Sequence, residues 1–233
     1  MVIAAPAIEA SGSSASIMAT GSAAAGAAGG QGRIQLEPRK LALDVPAFAV
    51  HAAPALIALL AAHGAFGAKP DLVLSGINRG ANVGRAILHS GTVGAALTGG
   101  VNGARALAVS LAVGQVPGEA HWSTAAAVVA RILPLLMESP PGSVFNLNVP
   151  NQPTAEGIEI VEARLASFGI VHATMAQRDG EHINLVIAEP PQDEGGDTDA
   201  SCLAGGAATL TSIRAVHEAE QRVLPLPTGR EVG

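Results

Sequence analysis

The chain has 233 residues, of which 48% are hydrophobic, and a formal net charge of −6 at pH 7. That length can bury one sizeable core, and the negative charge excludes the broad basic surface that binds nucleic acid. A single cysteine, Cys202, excludes an intrachain disulfide framework and a zinc site built from cysteines. No apolar run reaches the roughly 18 residues of a membrane span, so we expect a soluble, cytoplasmic protein that does not bind membranes.

The first third of the chain predicts short strands around a low-complexity segment. Residues 1–6 are an apolar run typical of a buried strand. Residues 9–32 are dominated by Ser, Ala and Gly, the composition of a flexible linker, and residues 21–32 are expected to form a mobile loop or hairpin tip. Apolar alternation within residues 33–50 predicts one or two half-buried strands, and residues 54–65 predict a helix.

The stretch from Pro70 to Leu111 contains most of the polar groups suited to chemistry. Apolar runs at residues 72–74 and 106–111 predict buried parallel strands, separated by a turn rich in small and polar residues and by a small-residue helix. This order is a βαβ unit, in which ligands bind where the carboxyl ends of strands meet loops. The chain is therefore predicted to have an α/β fold.

Candidate ligand-binding residues follow the first of these strands. Asn78 and Asn82 offer amide oxygens that suit a hard divalent cation and amide donors that suit phosphate. Ser90, Gly91 and Thr92, at a helix start, offer hydroxyls and backbone N–H groups to an anion. The alternative is that these residues only make turns and that Ser90 is only an N-cap. GxxxxGK[ST] and GxGxxG are both absent, so a P-loop and a dinucleotide site fit poorly.

The remaining elements are predicted from apolar patterns. A helix is expected over residues 125–137, capped by Ser123 or Thr124 and kinked or ended by Pro134. Further strands are expected at residues 143–149, 158–163, 182–188 and 207–213.

Several polar residues outside the central stretch allow two interpretations. Asn146 and Asn148 would share one face of their strand, and we expect them to hydrogen-bond the backbone of the loop near the site. His51 either contacts substrate or is a half-exposed histidine at a strand end. An acidic segment either binds a cation or is simply solvated; it contains Asp193, Glu194, Asp197 and Asp199.

These motifs resemble the SurE family of survival-protein nucleotidases. The resemblance rests on SGINRGANVG at residues 75–84, HSGTVGAA at 89–96, ALAVSL at 106–111 and NLNVP at 146–150. It extends more weakly to residues 197–199 and touches residues 4–6 and 11–12, so it covers most of the chain. It implies a Rossmann-like three-layer sandwich with a mostly parallel sheet at residues 1–150. A smaller β-rich extension at 151–213 and a tail at 214–233 would follow.

The resemblance also implies an activity and a site. Members of the family are metal-dependent phosphatases that act on nucleoside monophosphates, which implies a 5'/3'-nucleotidase with Mg²⁺ or Mn²⁺ and a homodimer or homotetramer. Ser11 and Asn78 would bind the metal. The phosphate oxygens of the substrate would be bound by Asn82, Ser90, Gly91 and Thr92.

The chain departs from the family pattern in two places. SurE proteins place a strand, an Asn-Asp-Asp-Gly loop and a helix before the segment that matches residues 2–6, whereas this chain contains no Asp-Asp pair. The catalytic residues are therefore unassigned. Either the start has been assigned too far downstream, which the intact remainder of the site favours, or the chain is short and is an inactive nucleotide-binding homologue. In addition, Leu56 and Ile57 stand where the family has Asp and Cys, which would shift specificity.

Overall fold

The α/β fold expected from the sequence is confirmed by a computed structural model that describes residues 1–19, 33–114, 118–167, 172–179, 182–188 and 196–214. The strands are β1 (Ile3–Pro6), β2 (Leu36–Arg39), β3 (Ala47–Val50), β4 (Leu72–Arg79), β5 (Arg105–Ala112), β6 (Val144–Pro150), β7 (Ile160–Glu162), β8 (His172–Asp179), β9 (His182–Ala188) and β10 (Ala208–Ile213). The helices are α1 (Pro54–Ala62), α2 (Gly91–Val101), α3 (Trp122–Glu138) and α4 (Asp199–Ala204), with a 3₁₀ helix at Gly84–His89. The predicted loop at 21–32, all but the first residue of the 214–233 tail, and Asp193 and Glu194 lie outside the described residues.

The main sheet has five strands in the order β4-β5-β6-β10-β7. β4, β5 and β6 are mutually parallel, β10 runs antiparallel to β6, and β7 runs parallel to β10. A second sheet has the order β1-β3-β2, in which β1 is parallel to β3, and β8 pairs with β9 in an antiparallel ribbon. Strands from the last third of the chain therefore hydrogen-bond directly into the sheet of the predicted core.

Different helices cover the two faces of the main sheet, which makes three layers. Side chains alternate between the faces of a strand, so β5 serves both. Its large residues Leu107, Val109 and Leu111 are buried with α3, whereas Ala106 and Ala108 are buried with α2. Alternation of large and small residues along β5 thus lets the small-residue helix α2 pack close to the sheet.

The turn expected directly after Leu74 is wrong, because β4 continues to Arg79. Pairing with β5 shifts register between Ser75 and Asn78. Gly76 has φ +136°, and a Cβ there would overlap the carbonyl oxygen of Val109. Glycine is therefore the residue that lets this part of the strand lie against β5.

The predicted cap of α3 is also wrong. The helix begins at Trp122, with His121 as its N-cap and no side-chain cap hydrogen bond. Thr124 Oγ1 instead donates to the backbone oxygen of Gln152 at 2.8 Å, so its hydroxyl ties the helix to the loop after β6. Pro134 lies inside the helix without ending it.

Candidate functional site

A row of polar side chains crosses the carboxyl ends of the parallel strands. Asn78 on β4 is in register with Ser110 on β5, which is in register with Asn148 on β6. Asn148 in turn pairs with Thr209 on β10. Ser110, Asn148 and Thr209 are fully buried. Because most buried polar groups have partners, we expect a polar group to lie against Ser110 and Asn148.

The residue that lies against this row is Asn82, in the loop after β4. Its backbone N–H donates to Asn148 Oδ1 at 2.8 Å, and its carbonyl accepts from the Nδ2 groups of Asn146 (2.8 Å) and Asn148 (2.9 Å). Its own Nδ2 donates to Ser110 Oγ at 2.7 Å. The prediction that Asn146 and Asn148 bind the loop backbone is confirmed. These four hydrogen bonds hold Asn82 in place. None of them involves its side-chain oxygen, Oδ1.

Ser90 and its neighbours form the first turn of α2, as expected from the sequence. Ser90 is the N-cap, and its Oγ accepts from the backbone N–H of Val93 at 3.2 Å. The backbone N–H groups of Gly91 and Thr92 belong to the first turn, which has no intrahelical acceptors for them. Ser90 therefore caps α2, and the same turn presents backbone donors that suit an anion.

The serine-rich loop after β1 packs against this turn. Ser14 Oγ donates to the carbonyl of Leu88 at 2.6 Å, and its backbone N–H donates to the carbonyl of His89 at 3.2 Å. A Cβ on Gly91 would lie 2.5 Å from Ser13 Oγ, so these segments touch. Residues 9–19, the described part of the segment 9–32 that resembles a linker in composition, therefore form a loop that packs against α2, and Ser11 lies in an exposed turn of that loop.

His51 lies at the end of β3 and has an acidic partner. Its Nε2–H donates to Glu37 Oε1 at 2.7 Å, and the other carboxylate oxygen accepts from Arg39 at 2.6 Å. The hydrogen bond from His51, followed by that from Arg39, lowers the pKa of Glu37. The side chain of His51 is 24% exposed, which agrees with the half-exposed interpretation.

The two described carboxylates of the acidic segment differ in burial: one is exposed and the other is buried. Asp197 is exposed and forms an ion pair with Arg164 at 2.6 Å, and this hydrogen bond lowers the pKa of Asp197. Asp199 is fully buried, and its carboxylate accepts from the backbone N–H groups of Gly84 and Ala166. Solvation is therefore the wrong interpretation for Asp199. The signal that could have found it is Thr198-Asp199, a capping residue followed by an acid in the first turn of a helix.

The predicted metal ligands are neutral oxygens. Asn78 Nδ2 donates to the carbonyl of Gly80 at 2.8 Å, so the side-chain oxygen Oδ1 is the atom of Asn78 that could bind a metal, and Ser11 offers a hydroxyl. Within the described ranges, no group of three or more His, Cys, Asp and Glu side chains could hold a metal ion. Mg²⁺ and Mn²⁺ prefer sites that include carboxylates. The donors present in the described residues therefore do not fit a complete metal shell by themselves.

Comparison with known proteins identifies the family. The sequence profile described as survival protein SurE matches residues 1–172. The chain belongs to the SurE family. Two relatives named 5'/3'-nucleotidase SurE, from Yersinia pestis (strain Pestoides F) and Yersinia pseudotuberculosis serotype O:1b (strain IP 31758), are each 38% identical over 151 residues. The match covers 63% of this chain and spans only 58% of each relative.

The fold of this SurE family member is also found in a solved structure. A crystal structure of the SurE protein from Aquifex aeolicus superposes with a TM-score of 0.59 at 25% identity, covering 77% of this chain and 73% of that one. No helix in the described part of the chain is both long and apolar enough to cross a membrane.

Proposed function

We propose that this SurE family protein hydrolyses the phosphate ester of nucleoside monophosphates, as a 5'/3'-nucleotidase that depends on Mg²⁺ or Mn²⁺. The names of its relatives support the substrate class. The observation that carries the proposal is the packing of the serine loop against the first turn of α2. Ser14 Oγ donates to the carbonyl of Leu88 just before this turn, and a Cβ on Gly91 would lie 2.5 Å from Ser13 Oγ. The serine loop thus lies beside a helix N-terminus, which is a type of site that binds phosphate.

The proposal gives each predicted residue a role. The backbone N–H groups of Gly91 and Thr92 would donate to phosphate oxygens, with the hydroxyls of Ser90 and Thr92 beside them. Asn82 would orient the substrate from a position that four hydrogen bonds hold rigid. Asn78 and Ser11 would be the ligands that this part of the chain offers to the cation. The group that activates water is unassigned, so we derive no step through the metal.

A second candidate function is a nucleotide-binding homologue without turnover. It is favoured by the neutral character of the two proposed metal ligands, since a serine and an asparagine bind hard cations weakly without carboxylates. Both candidates are proposed as cytoplasmic homodimers or homotetramers. A single cysteine suits a reducing compartment, and the assembly rests on the resemblance to the family.

The test is phosphate release from a panel of nucleoside 5'- and 3'-monophosphates, with Mn²⁺ and with a chelator, alongside calorimetric binding of AMP. We expect turnover that requires Mn²⁺ and falls at least a hundredfold in Asn78→Ala. The matched control is Asn102→Ala at the end of α2, where Nδ2 donates to a helix carbonyl, and it should leave turnover unchanged. AMP binding of equal affinity with and without chelator, and no turnover, would favour the second candidate. Absence of both binding and turnover would refute both.

A further inference from the structure

The buried carboxylate of Asp199 joins three segments that are distant in sequence. Oδ2 accepts from the backbone N–H of Gly84 at 2.8 Å. Oδ1 accepts from the N–H groups of Ala166 and Ala200, each at 2.9 Å. Asp199 is 0% exposed, and acidic residues are almost never buried this completely unless their oxygens are bound. Its position at the start of α4 thus joins the last third of the chain to the loop after β4.

Gly84 is the point at which that loop becomes the 3₁₀ helix. The 3₁₀ helix runs from Gly84 to His89 and leads directly into Ser90, the N-cap of α2. The next residue, Arg85, donates its backbone N–H to the carbonyl of Ala166 at 3.2 Å. The start of the 3₁₀ helix is therefore held through two consecutive residues. Asn82, two residues earlier, is held separately by β5 and β6.

We propose that Asp199 is a positioning residue that sets the place and orientation of the first turn of α2. The carboxylate holds Gly84 in position, and Gly84 is the first residue of the 3₁₀ helix. The position of the 3₁₀ helix in turn sets the position of Ser90, which follows it directly. The inference deepens the proposed function, because it assigns to a residue outside the predicted site the geometry of the phosphate donors. On this proposal, the segment after residue 196 contributes to the geometry of the phosphate site through Asp199.

The chemistry of the site requires a carboxylate. Both oxygens of Asp199 face backbone N–H groups, so both must accept. Asparagine has nearly the same shape but presents one acceptor and one donor. In Asp199→Asn, the amide N–H₂ must therefore face one of these donors, which separates Gly84 or Ala166 from residue 199. The substitution changes the hydrogen bonding while leaving the packing volume almost unchanged.

The matched control is Asp197→Asn, which removes the same charge two residues earlier from an exposed ion pair. A second control, Ile132→Val, removes one methyl group from the core on the opposite face of the sheet, under α3. It reports what a loss of stability alone does to the site. The three variants together separate charge, stability and hydrogen bonding.

The experiment records amide ¹H–¹⁵N spectra of the whole chain without ligand and measures the Kd for inorganic phosphate. We expect Asp199→Asn to move the amide signals of Gly84, Ser90, Gly91 and Thr92 and to weaken phosphate binding at least tenfold, whereas both controls leave signals and Kd unchanged. Unmoved signals at residues 90–92 in folded Asp199→Asn, or equal movement in a control, would overturn the proposal.

Two further results keep the test decisive. If Asp199→Asn does not fold, hydrogen exchange of wild-type Gly84 decides, because its amide must exchange as slowly as those of β5, and rapid exchange would overturn the proposal. If wild-type protein does not bind phosphate, the proposed function fails, while the amide signals of residues 90–92 still report on positioning.

Discussion

Asn148→Ala is the substitution whose effect follows most directly from the structure. Asn148 is fully buried on β6. Its Oδ1 accepts from the backbone N–H of Asn82 at 2.8 Å, and its Nδ2 donates to the carbonyl of the same residue at 2.9 Å. One side chain therefore binds both backbone groups of one loop residue, and truncation removes both bonds.

The loss of stability can be estimated from the hydrogen bonds that each backbone group of Asn82 retains in the variant. The N–H loses its partner, and a buried donor without an acceptor costs about 1–3 kcal/mol. The carbonyl keeps the hydrogen bond from Asn146 Nδ2, so its loss is that of an ordinary bond, about 0.5–1.5 kcal/mol. Together these losses should lower the free energy of unfolding by roughly 2–4 kcal/mol.

Asn151→Ala is the matched control. Asn151 Oδ1 accepts from the backbone N–H of His121 at 2.9 Å, and its Nδ2 donates to the carbonyl of Glu119 at 2.8 Å, in a more exposed place. Water can replace those bonds, so the loss should stay below roughly 1 kcal/mol. Urea unfolding followed by circular dichroism measures both variants. Equal losses in the two variants would refute the argument from burial.

Two other predictions concern the serine loop and the ion pair beside β3. In Gly94→Ala, a Cβ would overlap the carbonyl oxygen of Ser14, so we expect lower stability and weaker phosphate binding, whereas Gly114→Ala, in open space, should change neither. Thermal melts and calorimetry measure this, and equal behaviour of the two variants would contradict it. We also expect Glu37 to titrate below its ordinary pKa of 4.5, because the carboxylate accepts from His51 and from Arg39. The stabilisation is present above the ordinary pKa and is lost as pH falls through the lowered one. In ¹³C NMR titrations, His51→Ala, which removes the donor, should raise the pKa of Glu37, and an unchanged titration would contradict the role of His51.

Much of the fold could be predicted because it depends on local patterns. Apolar runs located β5, β6 and β10 within about a residue, since strands that are buried on both faces are rich in Val, Ile and Leu. Alternation placed Asn146 and Asn148 on one face, and that face meets the loop as expected. Position in a helix start likewise identified Ser90 as a cap.

The rest depended on contacts between distant residues. Composition made residues 9–32 resemble a linker. In the described part of that segment, packing against the first turn of α2 gives the serine loop partners that its own sequence does not specify. Asp199 resembled a solvated acid because sequence cannot show which backbone donors converge on a carboxylate 115 residues away from Gly84. The sequence by itself thus determined the family and most of the strands and helices, whereas β8 and α4 were not predicted from it. Only the tertiary structure decided which polar groups are buried together, because burial and hydrogen-bond partners are properties of the assembled layers and not of a local pattern.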